Sequence, residues 1–168
     1  MRSARWLALC VLPIALSACT KKDSPTSSTG TTSTSCTTKY SATVNGASWC
    51  ALTSLSNYYP NQQQVVITGI GISSNGTWSL TVSASAITAA GTYPLNTLSP
   101  LRWGLGSSGA TTSYGTNNAG STGTITFTTF TTTHVVGTFS FNALPNAGST
   151  GALAVTNGSF DVTLIPGS

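Results

Sequence analysis

Acidic side chains are nearly missing from this chain: it holds two, Asp23 and Asp161, and no glutamate. Glycoside hydrolysis by a pair of carboxylates therefore has no second partner anywhere past residue 23. Histidine occurs once, at His134, which is too few for a standard zinc site; a mixed set of Cys36, Cys50, His134 and Asp161 is a site by arithmetic only. Cations are sparse too, since beyond residue 38 only Lys39 and Arg102 stand against Asp161. A phosphate footprint needs several clustered Lys and Arg residues, so no nucleic-acid partner is expected. No Gly-x-Ser-x-Gly elbow is followed by an ordered Asp and His. The glycine-rich stretch Gly104 to Gly109 lacks the lysine and the strand-to-helix context of a phosphate loop, and reads as an ordinary loop. No cofactor is implied, and an enzyme is not the expected reading.

What the chain does have begins at its start. Arg2 and Arg5 precede the apolar run Trp6 to Leu16, which closes on the small residues Ser17 and Ala18. That is the charged, apolar and small-residue order of an export signal, and it is shorter than the roughly 20 apolar residues of a membrane span. The residues Leu16-Ser-Ala-Cys19 resemble the lipobox of bacterial lipoproteins. The resemblance implies a leader over residues 1–18 and acylation of Cys19, with palmitate-type chains holding the protein at a lipid bilayer. An ordinary secretory signal with a coincidental cysteine is the alternative. Thr20 in place of Asp resembles the outer-membrane sorting pattern of enteric bacteria, and Lys21, Lys22 and Asp23 resemble surface-export signals of Bacteroidetes lipoproteins. The periplasmic or surface face stays open.

Residues 24–38, SPTSSTGTTSTSCTT, carry no apolar periodicity and cannot bury enough surface to offset their ordering entropy. They complete a lipidated Ser/Thr-rich tether over residues 19–38. Residues 39–168 suffice for one domain with a modest core.

Within that domain no 3.6-residue apolar stripe assembles, and period-two segments recur instead. Lys39 to Asn45 reads as a first strand. Val65 to Ile72 reads as a second, with Val66, Ile70 and Ile72 on its inner face and Asn75-Gly76 supplying the positive-φ turn that follows. Trp78, Leu80 and Val82 then point inward, with Thr77, Ser79, Thr81 and Ser83 outward in water. Gly91 to Leu95 reads as a turn and a short edge piece, because Pro94 cannot donate to a ladder. Residues 96–122 predict one irregular strand and long loops. Ile125 and Phe127 share a face, as do Val135, Phe139, Phe141 and Ala143, with Gly137 suited to a bulge or a large neighbour. Ala152 to Thr156 and Ser159 to Leu164 read as two strands joined by an Asn157-Gly158 turn. Seven to nine antiparallel strands indicate an all-β domain, a β-sandwich or a partly closed β-barrel.

Val44-Asn-Gly-Ala-Ser-Trp49, Gly91-Thr-Tyr93, Gly123-Thr-Ile125, Gly137-Thr-Phe-Ser-Phe141 and Thr156-Asn-Gly-Ser-Phe-Asp-Val162, taken in order, resemble the DUF6252 family. The resemblance spans about residues 40–164. It implies a compact lipoprotein-type β domain and carries over no catalytic or binding residue. Cys50 beside Trp49, the Gly/Ser-rich middle and the scarcity of acidic residues depart from the usual member.

Candidate sites are few. In an oxidising exported compartment Cys36 and Cys50 are a candidate disulfide, with two free thiols or an intermolecular link as alternatives. A Cys50 thiol activated by His134 would need contact between them; otherwise His134 is a turn residue. Asp161 reads as a surface charge or local acceptor, with Arg102 as a candidate partner. Tyr58, Tyr59 and Trp103 are candidate ligand contacts, since aromatics on an uncharged Thr/Asn surface can stack on sugars. The expected role is that of a non-enzymatic cell-envelope lipoprotein with a structural or interaction role, its partner an envelope protein or glycan; the alternative is a carbohydrate or envelope-polymer binding module.

Overall fold

The computed structural model describes residues 36, 38–96, 102–109, 112–146 and 149–168. The expected leader, Cys19 and most of the expected tether lie outside the described residues. Eleven strands occur among the described ones: β1 (Tyr40–Val44), β2 (Ala47–Tyr59), β3 (Gln64–Ser73), β4 (Gly76–Ala84), β5 (Gly91–Pro94), β6 (Arg102–Ser108), β7 (Thr112–Gly115), β8 (Thr122–Phe130), β9 (His134–Pro145), β10 (Leu153–Thr163) and β11 (Ile165–Pro166). The sheet runs β10-β1-β2-β3-β4-β6-β7-β9-β8-β5, and a further β10–β9 pairing brings its path back on itself. All pairings are antiparallel except that of β11 with β2. The domain is all-β, and its sheet is a partly closed ring.

Ring closure depends on the length of β9. One edge of β9 pairs with β10 from His134 to Ala143. The other edge is shared: β8 occupies Val135 to Asn142, and β7 takes over at Leu144 and Pro145. The short edge strand β5 hangs on β8, where Pro94 costs no ladder bond of a central strand.

Turn chemistry sets the first hairpin. Asn45 and Gly46 have φ of 47° and 81°, and Val44 pairs with Ala47 across them, the two-residue turn whose twist matches its strands. The β3–β4 hairpin differs from expectation: its loop residues are Ser74 and Asn75, and of the Asn75-Gly76 pair only Gly76, at 112°, has positive φ.

The core is aromatic and meets glycine. Trp49, Tyr40, Phe139, Phe160, Phe127, Phe130 and Tyr58 form an unbroken series of ring contacts with centroids 5.3 to 6.0 Å apart except for a 6.4 Å step between Phe139 and Phe160. A Cβ at Gly69 would stand 2.6 Å from Tyr40, one at Gly104 2.7 Å from Phe141, one at Gly137 2.6 Å from Phe160 and one at Gly158 2.5 Å from Phe139. Tyr40 is fully buried, its hydroxyl donates to the Leu80 carbonyl at 3.3 Å, and burial pushes its phenol pKa up. Trp49 Nε1 donates to the Trp78 carbonyl at 3.2 Å.

This packing corrects four expectations. The inner face of β3 is Val65, Ile67, Gly69 and Gly71, and Ile70 and Ile72 are exposed; bulk reaches that face from Tyr40 and Trp49, so glycines serve as core positions. Gly104 and Gly106 lie in β6 rather than a loop, beneath Phe141 and Leu153. With β7, this gives two strands where one was expected. Asn157-Gly158 is no turn: β10 pairs on both sides of it, the register shifts there, and Asn157 has φ of 50°. It is a bulge that brings glycine backbone onto the Phe139 ring. Finally, Thr81 and Ser83 face outward but are buried. Their hydroxyls are satisfied across strands by Thr68 at 3.0 Å and Gln64 Nε2 at 2.8 Å.

Replacing Gly69 by valine should lower unfolding free energy by about 1–3 kcal/mol through overpacking against Tyr40. Urea unfolding of the two proteins measures it, and equal midpoints would show that the Tyr40 ring gives way freely.

Candidate functional site

Every charged side chain on the described part of the domain can be placed, and two of the three meet at one point. Tyr40 pairs with Phe160 across β1 and β10, which brings the flanking residues Lys39 and Asp161 together. Lys39 Nζ donates to Asp161 Oδ2 at 2.6 Å. His134 pairs with Thr163 and so shares the face of Asp161; its Nε2 lies 2.8 Å from Asp161 Oδ1. The hydrogen bond from Lys39, then that from His134, holds the Asp161 carboxyl below its ordinary value of 3.8. Side-chain exposures of 71% for Lys39, 43% for His134 and 35% for Asp161 make this a hydrated cluster, with correspondingly small energetic weight.

Beside the cluster is a groove of about 280 Å³. It opens where β1 stops covering β2 and β11 has not yet joined it, and Ser54, Ser56, Asp161 and Thr163 contribute its polar lining. A second groove of about 530 Å³ crosses the β8–β10 surface at the Asn157 bulge. Thr124, Thr138, Ser140 and Thr156 line it with hydroxyls.

Arg102 is elsewhere. Its Nε donates to the Ser85 carbonyl at 2.9 Å, and its guanidinium sits 4.9 Å from the Tyr93 ring centroid. The expected Arg102–Asp161 partnership is therefore replaced: Arg102 ties β6 to the edge strand β5 by stacking. Cys50 is bonded to Cys36, as the candidate disulfide anticipated, so the alternative of a Cys50 thiol activated by His134 falls away; His134 opens β9 and its ring is turned to Asp161. The disulfide, with Cα atoms 5.5 Å apart, fastens the segment before β1 to β2. Thr38 Oγ1 adds a hydrogen bond to the Ala51 carbonyl.

The three aromatic candidates are not gathered. Tyr58 is buried in ring contact with Phe130. Tyr59 is half-buried on the opposite side of the strand, beside Gly167. Trp103 is half-buried on β6 across from Ser83. Among the described residues no group of three or more His, Cys, Asp or Glu side chains is placed to hold a metal. The Lys39–Asp161–His134 cluster was missed by sequence reading, although a signal existed. Lys39 and Asp161 each adjoin a core aromatic, Tyr40 and Phe160, so pairing of those strands had to bring the two charges onto one face.

Because the folded pKa of Asp161 is depressed, its stabilising contribution is present above about pH 4, the unfolded carboxylate value, and is lost as pH falls through the lower folded value. Asp161→Asn should therefore be less stable than the parent at pH 7, with the gap closing as pH falls below the ordinary carboxylate range and through the lower folded value, as read by urea midpoints. Replacing Cys36 and Cys50 by serine should cost about 3 kcal/mol for a loop of some 15 residues. Denaturant unfolding without reductant checks this.

No curated protein and no solved structure matches the chain. The profile of DUF6252, a domain of unknown function, matches residues 37–162 and so takes in the first hairpin, the aromatic core and Asp161. The chain belongs to the DUF6252 family.

Proposed function

We propose that the protein is a lipid-anchored β domain of the bacterial cell envelope, held at the outer membrane through acylated Cys19 and acting by contact rather than by catalysis. The observation that carries this reading is the Cys36–Cys50 disulfide. Such bonds persist in oxidising compartments, which agrees with the export leader in residues 1–18, and this one fixes the tether's end to the domain. The Asp161 cluster supplies a hydrated ion pair and an imidazole, which suits a polar contact with a neighbour. Its partner would be an envelope protein. In the alternative reading, a glycan would either stack on the half-buried Tyr59 or Trp103 or lie in the separate hydroxyl-lined groove over β8–β10.

The mature protein, extracted from membranes, should have an intact mass beginning at Cys19 with acyl chains added, and two thiols that alkylate only after reduction. An unacylated soluble species would overturn the anchor.

A further inference from the structure

The large aliphatic side chains exposed among the described residues are Leu52, Leu55, Ile70, Ile72 and Ile165, each 51% to 62% exposed. They are not scattered. Cys50 pairs with Ile72, Thr53 with Ile70, and Leu55 with Thr68 across β2 and β3, while Leu52 is the extra residue of the β2 bulge. Ile165 pairs with Asn57 on the other edge of β2. All five therefore stand on one stretch of β2 and its two neighbours, on the outer face of a sheet whose other outward residues are largely Thr and Ser.

The disulfide determines what meets this face. Cys50 shares a row with Ile72, so the N-terminal chain enters the domain at the edge of the aliphatic patch. Cys36 lies 17 residues past Cys19. That length reaches at most about 60 Å, short enough to keep the domain close to an anchoring surface. Five half-exposed side chains offer roughly 500 Å² of apolar surface. This falls short of the approximately 800 Å² that each partner gives to a standard protein interface. It is ample for a contact that a covalent anchor already keeps at high local concentration.

We infer that the Leu52, Leu55, Ile70, Ile72 and Ile165 face lies against the lipid bilayer to which the chain is anchored. The inference rests on the lipid-anchored reading above. Lys39 and Asp161, paired at 2.6 Å on the groove at the patch margin, keep that margin hydrated at the depth of the headgroups. The ring then presents β8 and β9 away from the membrane.

The test uses the full mature protein reconstituted at about one copy per vesicle in phosphatidylethanolamine and phosphatidylglycerol, with a lipid bearing a diazirine in its acyl chain. After irradiation, peptides carrying Leu52 to Leu55 and Ile70 to Ile72 should be labelled at least about fivefold above those from β8 and β9, as expected for side chains at the acyl boundary. Replacing Leu52, Leu55, Ile70 and Ile72 by threonine should abolish that excess with the acyl mass and melting temperature retained. Label confined to residues 19–35 would overturn the face while leaving the anchor standing. A mass without acyl chains would instead overturn the anchor. Patch residues that crosslink to a second copy at high density and stay unlabelled at one copy per vesicle would assign the face to a dimer, overturning the inference.

Discussion

Close contact between aromatic rings and bare backbone is the constraint on which the rest of this structure depends. Tyr40, Phe139, Phe141 and Phe160 each occupy space that a Cβ on the facing strand would fill, at Gly69, Gly158, Gly104 and Gly137. Interiors are packed at crystal-like density, so a ring this full closes only where bulk on one strand meets its absence on another. The ring contacts from Trp49 to Tyr58 pass through β2, β1, β9, β10 and β8 before returning to β2. The aromatic series thus cuts across the interior of the ring and joins β8 to β2, strands that the sheet itself does not pair.

Closure also accounts for how so little charge suffices. Open sheet edges are usually protected by charged side chains, and this domain has almost none. Most strands have neighbours on both sides, which removes the need; the edge at β5 is short and carries Pro94 and a stacked Arg102. Outward hydroxyls pair with one another, as Thr92 does with Thr126 at 2.8 Å and Ser41 with Ser159 at 3.0 Å. Among the described residues, the cluster of opposite charges sits beside the groove where β2 is least covered.

The all-β class, the inward faces of β4, β8 and β9, and the Cys36–Cys50 pair were legible in the sequence because each follows from local pattern or from the small number of cysteines in the domain. The inner face of β3 was not. Periodicity scores the face rich in Ile, whereas the core selected the face with Gly69 and Gly71, since its volume comes from strands near in space and distant in sequence. Asn157-Gly158 misled for a related reason: the same dipeptide serves a hairpin turn and a bulge, and only pairing on both sides of β10 distinguishes them. The Asp161 cluster needed knowledge that the first and last long strands are neighbours, 122 residues apart at Lys39 and Asp161.

The disulfide has a mechanical meaning as well. A pull on the N-terminal segment passes covalently from Cys36 to Cys50 and bypasses β1, whose residues lie inside the closed covalent loop. The load therefore enters at a point where β2 is bonded to β1 on one side and β3 on the other. A terminal strand that would otherwise peel away one hydrogen bond at a time is shielded from force, and the load is shared by several rungs at once.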